Sequence, residues 1–308
     1  NSGQIIGIVG ESGAGKSTIG KVILGLLDPP AKIVSGEITL TNTSMIGLSE
    51  SQYESFRGNQ IGYIYQNPMT ALNPVLKIGE QVIEAILANT TMTGKEAYNY
   101  AIQLLERADV SFAKDRLQKY PHQLSGGLCQ RIVFAIAIAA KPKLIIADEP
   151  TTALDVTVQS SVLQTLIKLS QEEDIAIILI THDIGVVSET CDYVYVLRNG
   201  KHIEQGETIQ VLEKPTQEYT RSLMASMPLI EKRLHRFALP NEDKMEGMTN
   251  HLGYLQEERK ENLYLNNTIL KVNNISKTFY TSSTLFKRKE AFKAVRNVSF
   301  SVNRGETV

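Results

Sequence analysis

Short apolar runs alternate with longer stretches of helical spacing over the first two-thirds of the chain. Ile5–Val9, Leu144–Ala147, Ile175–Ile180 and Tyr193–Leu197 are almost wholly apolar and predict strands covered on both faces. Gly36–Leu40 and Ile61–Tyr65 add two strand-like segments. Ile19–Leu27, Ile78–Ala88, Lys95–Ala108, Gly126–Ala140 and Val156–Gln171 have helical character. The alternation predicts an α/β fold, a mainly parallel sheet flanked by helices. Helices follow one another between about 75 and 140, which predicts a separate helical lobe inserted into that fold.

The pattern fades over 229–267, a charged and polar stretch that reads as a linker with a short helix around 252–264. Strand-like alternation returns in Ile269–Phe279 and Ala294–Val308, with Lys287, Arg288 and Lys289 at a solvated hairpin tip between them. The two ends are alike. Asn1-Ser2-Gly3-Gln4-Ile5-Ile6 and Asn303-Arg304-Gly305-Glu306-Thr307-Val308 both place Gly third and run from a turn into apolar residues.

Composition narrows the classes. A chain of 308 residues with 42% hydrophobic content has material for a real core, and a net charge of -1 gives no support for a broad basic face on nucleic acid. The two cysteines, Cys129 and Cys191, form no metal or disulfide pattern. The longest apolar runs, such as Ile132–Ala140, fall short of the roughly 20 residues of a membrane span, so any membrane role is peripheral.

The chemistry is concentrated in a few places. Gly10-Glu11-Ser12-Gly13-Ala14-Gly15-Lys16-Ser17, followed by Thr18, fits G-x-x-x-x-G-K-[ST] between a strand and a helix. Glycines let successive N–H groups converge on an anion, and the following helix adds its positive end. Lys16 then reaches the β- and γ-phosphates of ATP, and Ser17 serves Mg²⁺. Asp148 and Glu149 stand at the end of a buried strand, the edge where ligands bind in open α/β sheets. Asp148 is the expected Mg²⁺ partner and Glu149 the group that activates water. Gln66 and His182 also follow strand-like runs. Gln66 is expected at Mg²⁺ or the attacking water, and His182 at the γ-phosphate.

Leu124-Ser125-Gly126-Gly127-Leu128 poses a local puzzle, because two glycines weaken a helix start by about 1 kcal/mol each. With these residues the chain resembles the ATP-binding-cassette (ABC) family, whose signature is LSGGQ; Leu128 stands where the family has Gln. The resemblance covers about residues 1–228: phosphate loop, Gln66, signature, Asp148-Glu149, Ala153-Leu154-Asp155 and His182, in that order. It implies a P-loop NTPase cassette with an inserted helical subdomain. Two cassettes pair head to tail, so that Ser125, Gly126 and Gly127 meet the ATP held by a partner, with Asp155 also at the nucleotide. On this reading the glycines face the partner's nucleotide rather than their own core.

Gln66-Asn67-Pro68-Met69-Thr70-Ala71-Leu72-Asn73-Pro74 resembles the dipeptide, oligopeptide and nickel importer branch, which includes glutathione importers. Tyr120-Pro121-His122-Gln123 and Lys214–Leu223 are similar too. The branch implies ATP hydrolysis powering solute import, with membrane permease subunits docked near Gln66 and the helical lobe, an indirect substrate-binding protein, and a peripheral place on the cytoplasmic face of the plasma membrane. Some members carry a cysteine cluster after this tail; none follows here, so no iron–sulfur cluster is expected. Residues 268–308 resemble the opening of a second cassette cut before its phosphate loop, with Phe279 at the adenine-stacking position. The chain then reads as a segment of a tandem protein: 1–228 the first cassette without its opening strands, 229–267 a linker, 268–308 the second. Residues 269–308 are expected to suit the place of the missing strands. The alternatives are a soluble cassette ATPase of translation or DNA repair, a P-loop kinase or GTPase, and a non-catalytic cassette. The first would favour basic, coiled-coil or zinc features, the second does not need Ser125-Gly126-Gly127, and the third would lack Glu149.

Overall fold

The computed structural model describes residues 2–152, 154–225, 268–280 and 291–304. They fall into two units, residues 1–241 and 242–308.

The first unit begins with β1 (Ile5–Val9), the phosphate loop and α1 (Lys16–Ile23). A two-residue ladder follows, β2 (Thr39–Leu40) and β3 (Thr43–Ser44), in place of the longer strand expected at Gly36–Leu40. Then come α2 (Glu50–Phe56), β4 (Ile61–Ile64) and α3 (Pro68–Ala71). The helix-rich stretch holds α4 (Ile78–Asn89), α5 (Gly94–Arg107), α6 (Ala113–Arg116) and α7 (Gly126–Ile138). After it run β5 (Leu144–Asp148), α8 (Val156–Glu173), β6 (Ala176–Thr181), α9 (Ile184–Thr190) and β7 (Tyr193–Arg198). The unit closes with β8 (Lys201–Glu207), α10 (Thr208–Glu213) and α11 (Glu218–Ala225).

The sheet order is β4-β5-β6-β1-β7-β8, parallel except for β8. β7 turns into β8 through Asn199 and Gly200, both with positive φ, the backbone a two-residue hairpin requires. Gly200 N–H donates to the Ala14 carbonyl at 3.0 Å and fixes this turn against the phosphate loop. Gly10 has no room for a side chain. A Cβ there would lie 2.1 Å from the Leu197 carbonyl oxygen, so the loop runs directly over β7.

The inserted helical stretch packs onto the sheet. One continuous apolar core joins Ile78, Val82 and Ile86 of α4, Leu104 and Leu105 of α5, Ile132, Phe134 and Ile138 of α7, and Ile145, Ile177 and Leu179 of the sheet. The reason is α7, which is apolar nearly all round and therefore buried on both sides. Arg131 of α7 strengthens the joint. It donates to Thr165 Oγ1 (2.9 Å) and Ser161 Oγ (2.8 Å) of α8 and pairs with Asp109 beyond α5 at 3.1 Å. Both cysteines are buried, and burial pushes the Cys191 thiol up to about 11 and the Cys129 thiol above its usual value.

The second unit is an antiparallel pair, β9 (Thr268–Tyr280) and β10 (Ala291–Asn303), close to the expected strands. The linker at 229–267, the helix around 252–264, the Lys287–Lys289 tip, Ala153 and the Phe279 side chain lie outside the described residues.

Candidate active site

Strand register brings the chemistry to one level. Val9 pairs with Thr181, Asp148 with Ile180 and Ile64 with Ala147, so the residues following β1, β4, β5 and β6 share one edge of the sheet.

The loop Gly10–Thr18 turns through three glycines of positive φ, Gly10, Gly13 and Gly15. Around Gly13 the space is open, and α1 starts directly after Gly15. Lys16 is only 5% exposed. Its Nζ donates to the carbonyls of Gly10 (2.8 Å) and Glu11 (3.0 Å) inside the loop. Burial lowers the Lys16 pKa, and the charges of Glu149 and Asp148 act against that shift. A cavity of about 480 Å³ adjoins the loop, lined among others by Gly15, Thr18, Ile19, Leu197 and Gly200.

Two carboxylates divide the remaining roles. Asp148 is buried and accepts from Ser17 Oγ at 2.8 Å on Oδ1 and from Tyr63 OH at 3.0 Å on Oδ2. Burial, then the Asp148 charge, raises the Tyr63 phenol above its usual value, so it stays a donor at neutral pH. Glu149 sits in the left-handed region at φ 47, a position that costs a non-glycine residue about 1–2 kcal/mol. The conformation is held by its N–H donating to the Ile180 carbonyl at 2.8 Å. Its carboxylate gathers three partners: Gln66 Nε2 at 2.7 Å, Thr152 Oγ1 at 3.0 Å and His182 Nδ1 at 3.0 Å. Burial alone would raise the Glu149 carboxyl. Hydrogen bonds from His182 and Thr152 and the charges of His182 and Lys16 outweigh it and hold the group below its usual value.

Of the residues expected at Mg²⁺, the structure therefore joins Ser17 to Asp148, whereas Gln66 lies on Glu149. Gln66, Glu149 and His182 meet as one cluster. Tyr63 and Thr152 were not among the expected residues. Tyr63 reads as an ordinary strand aromatic, and only the β4–β5 register reveals its partner.

The signature segment lies at the start of α7. Ser125 is exposed and caps the helix, its Oγ accepting from Leu128 N–H at 3.4 Å. Asp155 caps α8 in the same way, accepting from Val158 N–H at 3.0 Å. Gly126 is exposed, but Gly127 corrects the expectation that both glycines turn away from their own core. A Cβ on Gly127 would lie 2.5 Å from Val158 Cγ1, so this glycine lets α7 approach α8. Gly127→Ala is accordingly expected to cost about 1–3 kcal/mol by overpacking, read as a lower midpoint in denaturant unfolding. Adding Val158→Ala should restore the midpoint; no loss in the single variant would contradict the packing role.

The ABC transporter family matches residues 1–152. The oligopeptide transport ATP-binding protein AppD of Bacillus subtilis is 43% identical over 237 residues, covering 77% of this chain and 72% of that protein. The dipeptide transport ATP-binding protein DppD of Escherichia coli is 39% identical over 236 residues, 77% and 72% of the two chains. Among solved structures, the dimeric post-hydrolysis state of the ATP-binding cassette MJ0796 bound to ADP and Pi aligns with TM-score 0.59 at 30% identity, over 68% of this chain and 87% of that one.

Proposed function

The chain belongs to the ABC family of transporter ATPases, and from that premise we propose that it binds ATP with Mg²⁺ and hydrolyses it to drive peptide uptake through a membrane permease. One observation carries the reading: Ser17–Asp148 and Gln66–Glu149–His182 converge at a single sheet edge beside the glycine loop.

The residues fit the groups they would hold. Mg²⁺ takes one or two carboxylates together with phosphate oxygens and water, rather than an all-protein cage. Asp148 and Ser17 offer one carboxylate and one hydroxyl, and no cage of three or more His, Cys, Asp or Glu occurs among the described residues. The bound ion supplies neutralisation of phosphate charge. Lys16 exchanges its loop carbonyls for the β- and γ-phosphates. Gln66 orients water, and Glu149 takes its proton as the water oxygen bonds to the γ-phosphorus and the bond to the bridging oxygen of ADP breaks. His182 orients Glu149 and donates to the γ-phosphate.

Ser125 and Gly126, exposed at the N-terminal end of a 13-residue helix, suit the phosphate of an ATP held by a second cassette. Asp155 stands at the head of α8 for the same interface. Permease subunits, an indirect substrate-binding protein and a peripheral place on the cytoplasmic face of the plasma membrane complete the assignment. No helix among the described residues is long and apolar enough to cross a membrane. The relatives' names favour transport over a soluble role in translation or DNA repair. The β9–β10 pair supports residues 268–308 as the opening of a second cassette, with 1–228 the first and 229–267 the linker.

Restoring this gene to cells that lack their peptide-importer ATPase tests the function. Growth on a required amino acid supplied as a peptide should return with the natural chain, and its return with a Lys16→Ala chain would contradict the reading.

A further inference from the structure

Asp148 is gripped on both oxygens, by Ser17 on Oδ1 and by Tyr63 on Oδ2. Ser17 belongs to the phosphate-loop motif; Tyr63 belongs to no motif in the chain. Tyr63 pairs with Ile146 across the β4–β5 ladder, so Asp148, two residues on, is its diagonal neighbour on the same face. The ring is confined on two sides. Tyr65 packs edge-on at 4.6 Å between centroids, and a Cβ placed on Gly20 of α1 would lie 3.6 Å from Tyr63 Cε2. A ring so held presents its hydroxyl at one place. With one carboxylate oxygen held there, the other faces Ser17.

We propose that Tyr63 is a positioning residue for the metal: its hydroxyl locks the Asp148 carboxylate so that Oδ1 stays turned toward Ser17 and ready for Mg²⁺. This rests on the ATPase reading above. Tyr63 touches neither nucleotide nor water in this role and acts only through Asp148. The choice of Tyr at this strand position is thereby explained, since any β-forming apolar residue would satisfy the sheet.

The test uses Tyr63→Phe in the full chain, which keeps the ring and its packing. Mn²⁺ binding in the presence of ATP is followed by electron paramagnetic resonance, and binding of a fluorescent ATP analogue is measured with Mg²⁺ and with EDTA. Loss of a hydrogen bond to a charged group should weaken Mn²⁺ about tenfold, while analogue affinity in EDTA stays within about twofold of the natural chain. Tyr63→Met, which packs differently but also lacks the donor, should lose Mn²⁺ affinity to the same extent and keeps the test open should the Phe variant fold poorly. Tyr65→Phe, which leaves the Asp148 contact intact, should bind Mn²⁺ like the natural chain. Unchanged Mn²⁺ affinity in Tyr63→Phe, or an equal loss of analogue binding with Mg²⁺ and with EDTA, would overturn the proposal. A natural chain whose nucleotide affinity gains nothing from Mg²⁺ would instead overturn the ATPase reading beneath it.

Discussion

Glu149→Gln is expected to leave ATP bound and to slow its hydrolysis by about a hundredfold or more, the scale of a lost general base. The substitution preserves the shape of a side chain that Gln66, Thr152 and His182 hold from three directions. It also keeps the backbone N–H on the Ile180 carbonyl and costs no more at φ 47 than the native residue. What disappears is the proton acceptor. Because its surroundings hold the Glu149 carboxyl below the usual 4.5, it is ionised throughout the neutral range. The acidic limb due to this group should therefore lie below pH 4.5, as falling pH protonates it, and should vanish in the Gln variant. Phosphate release measured beside retained nucleotide checks both points, and normal turnover in the variant would remove Glu149 from the chemistry.

Lys16→Ala should abolish tight ATP binding, weakening it by about a hundredfold or more, since hydrogen bonds to charged groups are among the strongest a site makes. Lys16 is 5% exposed and its ammonium already donates to the Gly10 and Glu11 carbonyls, so it waits in the cradle rather than in solvent. Its removal takes the positive charge from a site that also holds Asp148 and Glu149. Burial lowers the Lys16 pKa, so in the natural chain this charge is lost at a lower pH than for an exposed lysine. ATP affinity should fall correspondingly early on the alkaline side. Equilibrium titration with a fluorescent ATP analogue measures the loss; affinity equal to that of the natural chain would contradict the assignment.

The parallel strands and the residues at their ends were legible because both signals are local. Buried strands read as apolar runs, and the loop Gly10–Ser17 carries its geometry in its glycines. Other elements were missed although their signals were present. β8 is a polar edge strand without an apolar run, yet Asn199-Gly200 marks its hairpin. α2 is announced by the capping box of Ser49 and Gln52. The continuity of the helical stretch with the sheet was written in α7, whose apolar residues cover every face and cannot be buried from one side alone.

What could not be read depends on contacts distant in sequence. Tyr63 meets Asp148 across 85 residues through the register of two strands, and no spacing rule encodes that register. Gly127 answers to Val158 of another helix, and the signature pattern gives no sign of that packing need.

In the proposed mechanism the cradle at Gly10–Ser17 and the exposed Ser125 end of α7 close on one nucleotide from two cassettes. Ser12→Cys and Ser125→Cys, combined in the Glu149→Gln background, test it directly, because both natural cysteines are buried. With ATP and Mg²⁺ the two positions should form a disulfide between copies, and with ADP they should not. Tight ATP binding with no such bridge, or a bridge indifferent to nucleotide, would contradict the account.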